Sequence, residues 1–223
     1  MFQQYVTNVT NMFNNRKADL ELGSALDDIV SDVEDNADDA STLLLDFADL
    51  DEVQSNSALR QAAERGSDLE TSLLSLLTVA ADYIKTDTPV RAETIGNEVQ
   101  LVVNQISQQM AEMQQIAGGR DDSGTLEEIA DLVSTVTSSV TSPDGLLNTQ
   151  VDRLNRQADA QVALTASEEN IAQASEQLNK LLSLAEGLTA DAEEEVASSV
   201  TSGTSLVIIC FVAAIAIAGA AGY

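Results

Sequence analysis

The chain predicts an all-α fold: an antiparallel bundle of long coiled-coil helices, the last of which continues into a single transmembrane helix. Three observations carry this. Apolar residues recur in alternating steps of three and four along most of the 223 residues, the signature of helical seams. Aromatic residues make up only 3%, so the core is Leu, Val, Ile and Ala, which suits thin coiled-coil layers. The chain ends in the uncharged run GTSLVIICFVAAIAIAGAAGY at 203–223, which as a helix spans roughly 30 Å, the thickness of a bilayer's hydrocarbon core.

Taken in order, residues 1–16 read as a short amphipathic helix, with Phe2, Tyr5, Val6, Val9, Met12 and Phe13 on one face. Phe2, Tyr5, Val9 and Phe13 are its expected partner face. Helical legs follow over 17–145. Leu22, Leu26, Ile29 and Val33 open a seam that weakens at Asn36 and Ala40 and returns with Leu43, Phe47 and Leu50. QSNS at 54–57 suggests a turn. Beyond it Leu59, Ala62, Gly66, Leu69, Leu73, Leu76, Ala80 and Tyr83 keep a strict heptad, with Gly66 a possible break.

Thr88 and Pro89 read as an N-cap followed by proline at the first helical position. The helix they start carries Ala92, Ile95, Val99, Val102, Ile106, Met113 and Ile116 inward, with Gln109 the polar entry in its seam, and ends at GGRDDSG, 118–124. Thr125 and Glu128 form a capping-box pattern, opening a helix with Leu126, Ile129, Val133, Val136 and Val140 inward; SPDG at 142–145 is a turn.

From 146 one helix is expected to run into the tail, a stalk over 146–202 and an anchor over 203–223, on the order of 100 Å of rod. Its register begins Leu147, Val151, Leu154, Ala158, Gln161 and resumes Leu164, Ile171, Ala174, Leu178, Leu181, Ala185, Leu188, Ala192. The runs meet near Gln161 with an extra step of three, a stammer-like shift. Gln109 and Gln161 are therefore candidate polar register positions. Two topologies remain open. In one, residues 18–87, 89–141 and 146–200 form three antiparallel legs, which puts the N-terminal aromatics at the tip farthest from the tail. In the other, the breaks at 54–57 and 118–124 fold the chain into a compact five- or six-helix bundle.

In the anchor, Leu206, Val207, Ile208, Ile209, Phe211, Val212, Ile215 and Ile217 face lipid, while Ala214, Ala218 and Gly222 form a small-xxx-small packing face. No signal-like run competes at the N-terminus, where MFQQYVTNVTNMFNNRK is interrupted by polar residues. The expected insertion is post-translational, with the side faced by the soluble part left open because no Lys or Arg lies between Lys180 and the tail.

Charge bounds the function. With 37 acidic and 10 basic residues the formal charge is −27, which excludes a basic nucleic-acid surface. Only Lys17, Lys85 and Lys180 are lysines, a composition suited to molar salt, where the Debye length falls to about 3 Å and self-repulsion is screened. A halophile origin is expected; an acidic disordered chain is disfavoured by 44% hydrophobic content at regular spacing. Cys210 is the one cysteine, so no intrachain disulfide forms.

Catalytic chemistry is scarce. There is no His, and the single Cys lies in the tail, so the usual general bases and metal ligands are missing. DVEDNADD at 32–39 has the acidity of a calcium loop but lacks its sharp-turn glycine, and Leu43 stands where Glu is needed. GGRDDSG has no following Lys for a phosphate loop. Asn8-Val9-Thr10 is a glycosylation triplet, meaningful only outside a cell. No enzyme activity, cofactor, metal or small-molecule substrate is expected. The partners expected are a lipid bilayer and either copies of the chain or other helical structural proteins.

In layout, through its acidity, lysine scarcity and terminal apolar run, the chain resembles the membrane-anchored structural proteins of haloarchaea and of the viruses that infect them. That resemblance implies a stalk, spike or tether joining a membrane to a surface layer or capsid. Heptads running into a C-terminal anchor also look like SNARE fusion proteins, although Gln161 stands near the start of the rod rather than centrally. Chemoreceptor-like signalling rods share the long helices, but carry an anchor before the rod and a hairpin tip.

Overall fold

The computed structural model describes residues 2–221, with side chains described through Cys210. Every regular element among the described residues is an α-helix: α1 (Phe2–Asp49), α2 (Asp51–Ser55), α3 (Ser57–Tyr83), α4 (Pro89–Ala117), α5 (Thr125–Thr141) and α6 (Leu146–Ala221). The chain divides into two units, Thr7–Thr165 and, separately, Met1–Val6 with Ala166–Tyr223.

In the Thr7–Thr165 unit one hydrophobic core takes residues from every helix. All eight heptad residues expected on α3, from Leu59 to Tyr83, are buried, as are Leu126, Ile129, Val133, Val136 and Val140 on α5. Gly66 does not break α3. A Cβ there would lie 3.2 Å from Leu44 Cδ2 and 3.9 Å from Met113 Cε, so the missing side chain lets α1 and α4 approach. At the other end of α3, Tyr83 packs beside Gly96. Together these contacts run α3 and α4 antiparallel.

The turns are built from the residues that suit them. Leu50 and Asn56 interrupt the chain on either side of α2, where QSNS had suggested a single turn. Asn56 caps α3, its Oδ1 accepting from the N–H groups of Ala58 (3.0 Å) and Leu59 (3.4 Å). Residues 18–87 thus fold back on themselves and are not one leg. Pro89 does open α4, although the Thr88 hydroxyl caps nothing. Gly118 ends α4 in the left-handed conformation, φ 59°.

The capping box expected at Thr125 is not formed. Gly124, at φ 78°, takes the N-cap position, and Asp121 Oδ2 accepts from the Leu126 N–H at 2.7 Å instead. A carboxylate reaching forward from the loop does the job expected of the Thr125 hydroxyl. Glu52 Oε1 accepts from the Asp122 N–H at 2.8 Å, tying α2 to the same loop. At the 142–145 turn, a Cβ on Gly145 would meet Ser139 O at 2.7 Å, so only glycine fits.

The expected boundary at residue 16 is absent, because α1 is continuous from Phe2 to Asp49. No Gly, Pro or cap interrupts residues 10–20, and apolar spacing continues through Met12 and Leu22. The 32–39 run is helical, with Val33 and Ala37 buried and its acids exposed, and no metal-holding cluster occurs among the described residues. α6 is one long helix, as expected. Among the described residues no helix is long and apolar enough to cross a membrane. The side chains of Phe211, Val212, Ala214, Ile215, Ile217 and Ala218, and all of Gly222, lie outside the described residues.

Candidate functional site

Two sets of residues on α6 stand apart from ordinary helix packing, one in each unit. In the Thr7–Thr165 unit a polar clasp fastens the start of α6. Asp19 of α1 is buried, its side chain 4% exposed. Its carboxylate accepts from Arg16 Nη1 at 2.8 Å, Arg153 Nε at 3.2 Å and Gln157 Nε2 at 2.7 Å. Arg153 Nη1 also donates to the Ile84 carbonyl at 3.4 Å. One turn earlier, Gln150 is fully buried and its Nε2 donates to Thr86 O (2.9 Å), Thr86 Oγ1 (3.0 Å) and Ile84 O (3.4 Å). Tyr83 closes the set, its hydroxyl donating to the Leu147 carbonyl at 2.9 Å; burial pushes its pKa above the ordinary 10.0.

The bonds to Asp19 are charge-assisted, and Asp19, Gln150, Thr86 and Tyr83 are buried, which strengthens the bonds made among buried groups relative to surface equivalents. Among the described residues, Arg153–Asp19 is the one ion pair that joins two helices; the others close a single helical turn or a helix end. Asn15 pairs with Arg156 at 3.3 Å. Stepping back along α1 from Asp19 to Asn15 therefore steps forward along α6 from Arg153 to Arg156, so these segments are antiparallel.

Of the seam expected at the start of α6, Leu154 is buried and Leu147 packs half-buried against the core, but Val151 is 47% exposed and Ala158 and Gln161 are exposed. Leu146 and Gln150, each one residue earlier, are fully buried instead. Gln161 is therefore not a core register residue. Because the Tyr83 and Asp19 partners select a different edge of the helix, the amide that enters the core is Gln150. Successive steps of three survive at Gln157, Ala160 and Ala163, all half-buried or buried. Gln109 is half-buried as its spacing implied, with Oε1 shielded and unpartnered.

In the other unit, Phe2 and Tyr5 line an apolar groove of about 490 Å³ with Asn170, Ile171, Ala174, Ser175 and Leu178 of α6. Phe2 and Tyr5 consequently lie against residues 170–178, within the first half of α6, and not at a tip remote from the tail. The expected partner face is split: Tyr5 and Val9 are half-buried, while Phe2 and, in the Thr7–Thr165 unit, Phe13 are exposed. From Leu178 onward α6 displays Leu181, Leu182, Leu184 and Leu188, each more than half exposed, and then Leu206, Val207, Ile208 and Ile209.

Sequence reasoning missed Asp19, Gln150, Arg153 and Gln157. A signal existed for Asp19, since stepping back three residues from Leu22 along the α1 seam lands on it. Comparison of the chain with protein-family models, with curated proteins and with solved structures finds no match.

Proposed function

We propose that this protein is a non-enzymatic, membrane-anchored structural tether of a halophile. A bundle of long antiparallel helices is held by α6 to a bilayer entered by residues 203–223, and the tether links that bilayer to a surface layer or capsid. The observation that carries the reading is the continuity of α6, which runs without a break from the clasp residues into the apolar tail. A helix satisfies its own backbone hydrogen bonds, as lipid requires. Residues 166–221 alone supply roughly 80 Å of helix at about 1.5 Å per residue.

The mechanism is mechanical. Pull on the tail is resisted where α6 is bonded to α1 and to the α3–α4 connection, through Asp19, Gln150 and Tyr83. In the tail Leu206, Val207, Ile208, Ile209, Phe211, Val212, Ile215 and Ile217 supply apolar surface to lipid, and Ala214, Ala218 and Gly222 allow close helix approach. The test is flotation with liposomes in molar salt. The full chain is expected to rise with the lipid and a chain ending at residue 202 to stay below. Equal behaviour of the two removes the anchor. Recovery of the protein at fixed stoichiometry in purified envelopes or virions tests the structural role.

A further inference from the structure

We infer that residues 171–190 of α6 are a self-association seam through which copies of this chain pack α6 against α6, parallel and in register. The first support is a change in burial along one face. Ser167 and Asn170 are 4% and 9% exposed, and Ala174 is half-buried beside the Phe2–Tyr5 groove. The same face continues as Leu178, Leu181, Ala185, Leu188 and Ala192 in steps of three and four, yet Leu178, Leu181 and Leu188 are 65%, 63% and 63% exposed. Leu178 only borders the Phe2–Tyr5 groove, and Leu181 and Leu188 lie beyond it. Ser167 and Asn170 pack just before the seam, whereas its a and d residues, from Ile171 at 53% exposed onward, are bare except half-buried Ala174. An apolar a/d stripe left bare is the geometry of an unfilled coiled coil.

The second support selects the occupant. Identical chains in register bring identical charges together, so on a chain of charge −27 a self-pairing face must be free of acid. With Ile171, Leu178, Ala185 and Ala192 at a and Ala174, Leu181 and Leu188 at d, the charges between 170 and 190 are Glu176, Lys180 and Glu186 alone. They fall at f, c and b, on the outside of the helix. The flanking e and g positions hold Asn170, Ser175, Gln177, Leu182, Leu184 and Thr189, none of them charged. Two of the three outer charges already neutralise each other, Lys180 Nζ lying 2.7 Å from Glu176 Oε1. A basic partner would find no acid on this face, whereas a second copy finds matching leucines. The seam closes where Asp191 and Glu193–Glu195 restore the acid.

The parallel orientation rests on the anchoring proposed above, since helices entering one bilayer from one side point the same way. The test uses the full chain, reconstituted in vesicles in molar salt, with Cys210→Ser removing the native thiol. Leu188→Cys, at a d position, is expected to form an interchain disulfide under mild oxidation, and Glu186→Cys, at b, is not. In detergent, sedimentation is expected to show an oligomer, weakened about tenfold or more by Leu181→Glu with Leu188→Glu, a loss of roughly 1.4 kcal/mol or more. Circular dichroism checks that this double variant keeps its helix. A monomeric parent chain, equal crosslinking at 186 and 188, or an oligomer indifferent to the double variant overturns the seam. Flotation separates the two readings: chains that float as monomers refute the seam and keep the anchor, while chains that crosslink through residue 188 without floating keep the seam and refute the anchor.

Discussion

Asp19 shows how one buried carboxylate positions a long helix. Its bonds to Arg16, Arg153 and Gln157 compensate the cost of removing the charge from water. Asp19→Ala leaves Arg153 and Gln157 without their shared acceptor, and a loss of about 1–3 kcal/mol is expected in denaturant unfolding. By contrast Lys85→Ala, which removes an exposed 3.9 Å pair with Asp82, should change stability by less than about 0.5 kcal/mol. Tyr83→Phe keeps the ring in the core but removes the bond to the Leu147 carbonyl, with about 1 kcal/mol expected. The sign of its pH effect is fixed. Folded Tyr83 holds its proton above the ordinary 10.0, so its contribution is complete below that value and is lost as pH rises through the raised one. A tyrosinate absorbance titration should show a late component that Tyr83→Phe abolishes. Polar core residues were the least legible part of the sequence. Periodicity assigns polar side chains to water, and only their partners, which lie about 65–140 positions away in sequence, reveal that Gln150 and Asp19 turn inward.

At the scale of elements, seams and turns were legible where chemistry is local. The heptads of α3 and α5, the proline at the start of α4 and the glycines at 118–124 are stated by short runs of sequence. Continuity was harder to read. The α1 helix runs past residue 16 and α3 past Gly66, because an interhelical contact, here Leu44 against the bare Gly66 backbone, outweighs a residue's intrinsic helix preference. Gly66→Leu would force its side chain into Leu44 and Met113, and a loss of about 1–3 kcal/mol is expected on unfolding. Gly187→Ala meets nothing within 4 Å and should strengthen α6 by about 0.5–1 kcal/mol, seen as a rise in helical circular dichroism. In the early α6 seam, Leu154 and Leu147 turn inward as expected while Val151 does not, and the inward residue there is its neighbour Gln150. Leu146 and Leu147 are adjacent leucines, so local spacing accepts either phase. With Gln161 exposed, the SNARE-like comparison also loses its polar layer.

For the whole molecule, charge sets the working conditions. Exposed carboxylates line α1 from Glu21 onward and cluster on α6 at Glu186, Asp191 and Glu193–Glu195, and at −27 the repulsion of the chain's acids is screened only in concentrated salt. Helical circular dichroism is expected to be full in about 3 M salt, where the Debye length is below 3 Å, and to fall partly on desalting. Unchanged helicity would count against a halophile origin. Attachment to lipid is the central proposition, and the single thiol at Cys210, midway in the apolar run, reports on it directly. A polarity-sensitive fluorophore on Cys210 of the full chain, mixed with vesicles in molar salt, should shift to the blue and be quenched by lipid-borne quenchers but not by aqueous iodide. An unshifted emission that iodide quenches as freely with vesicles as without them would show that residues 203–223 do not enter the bilayer.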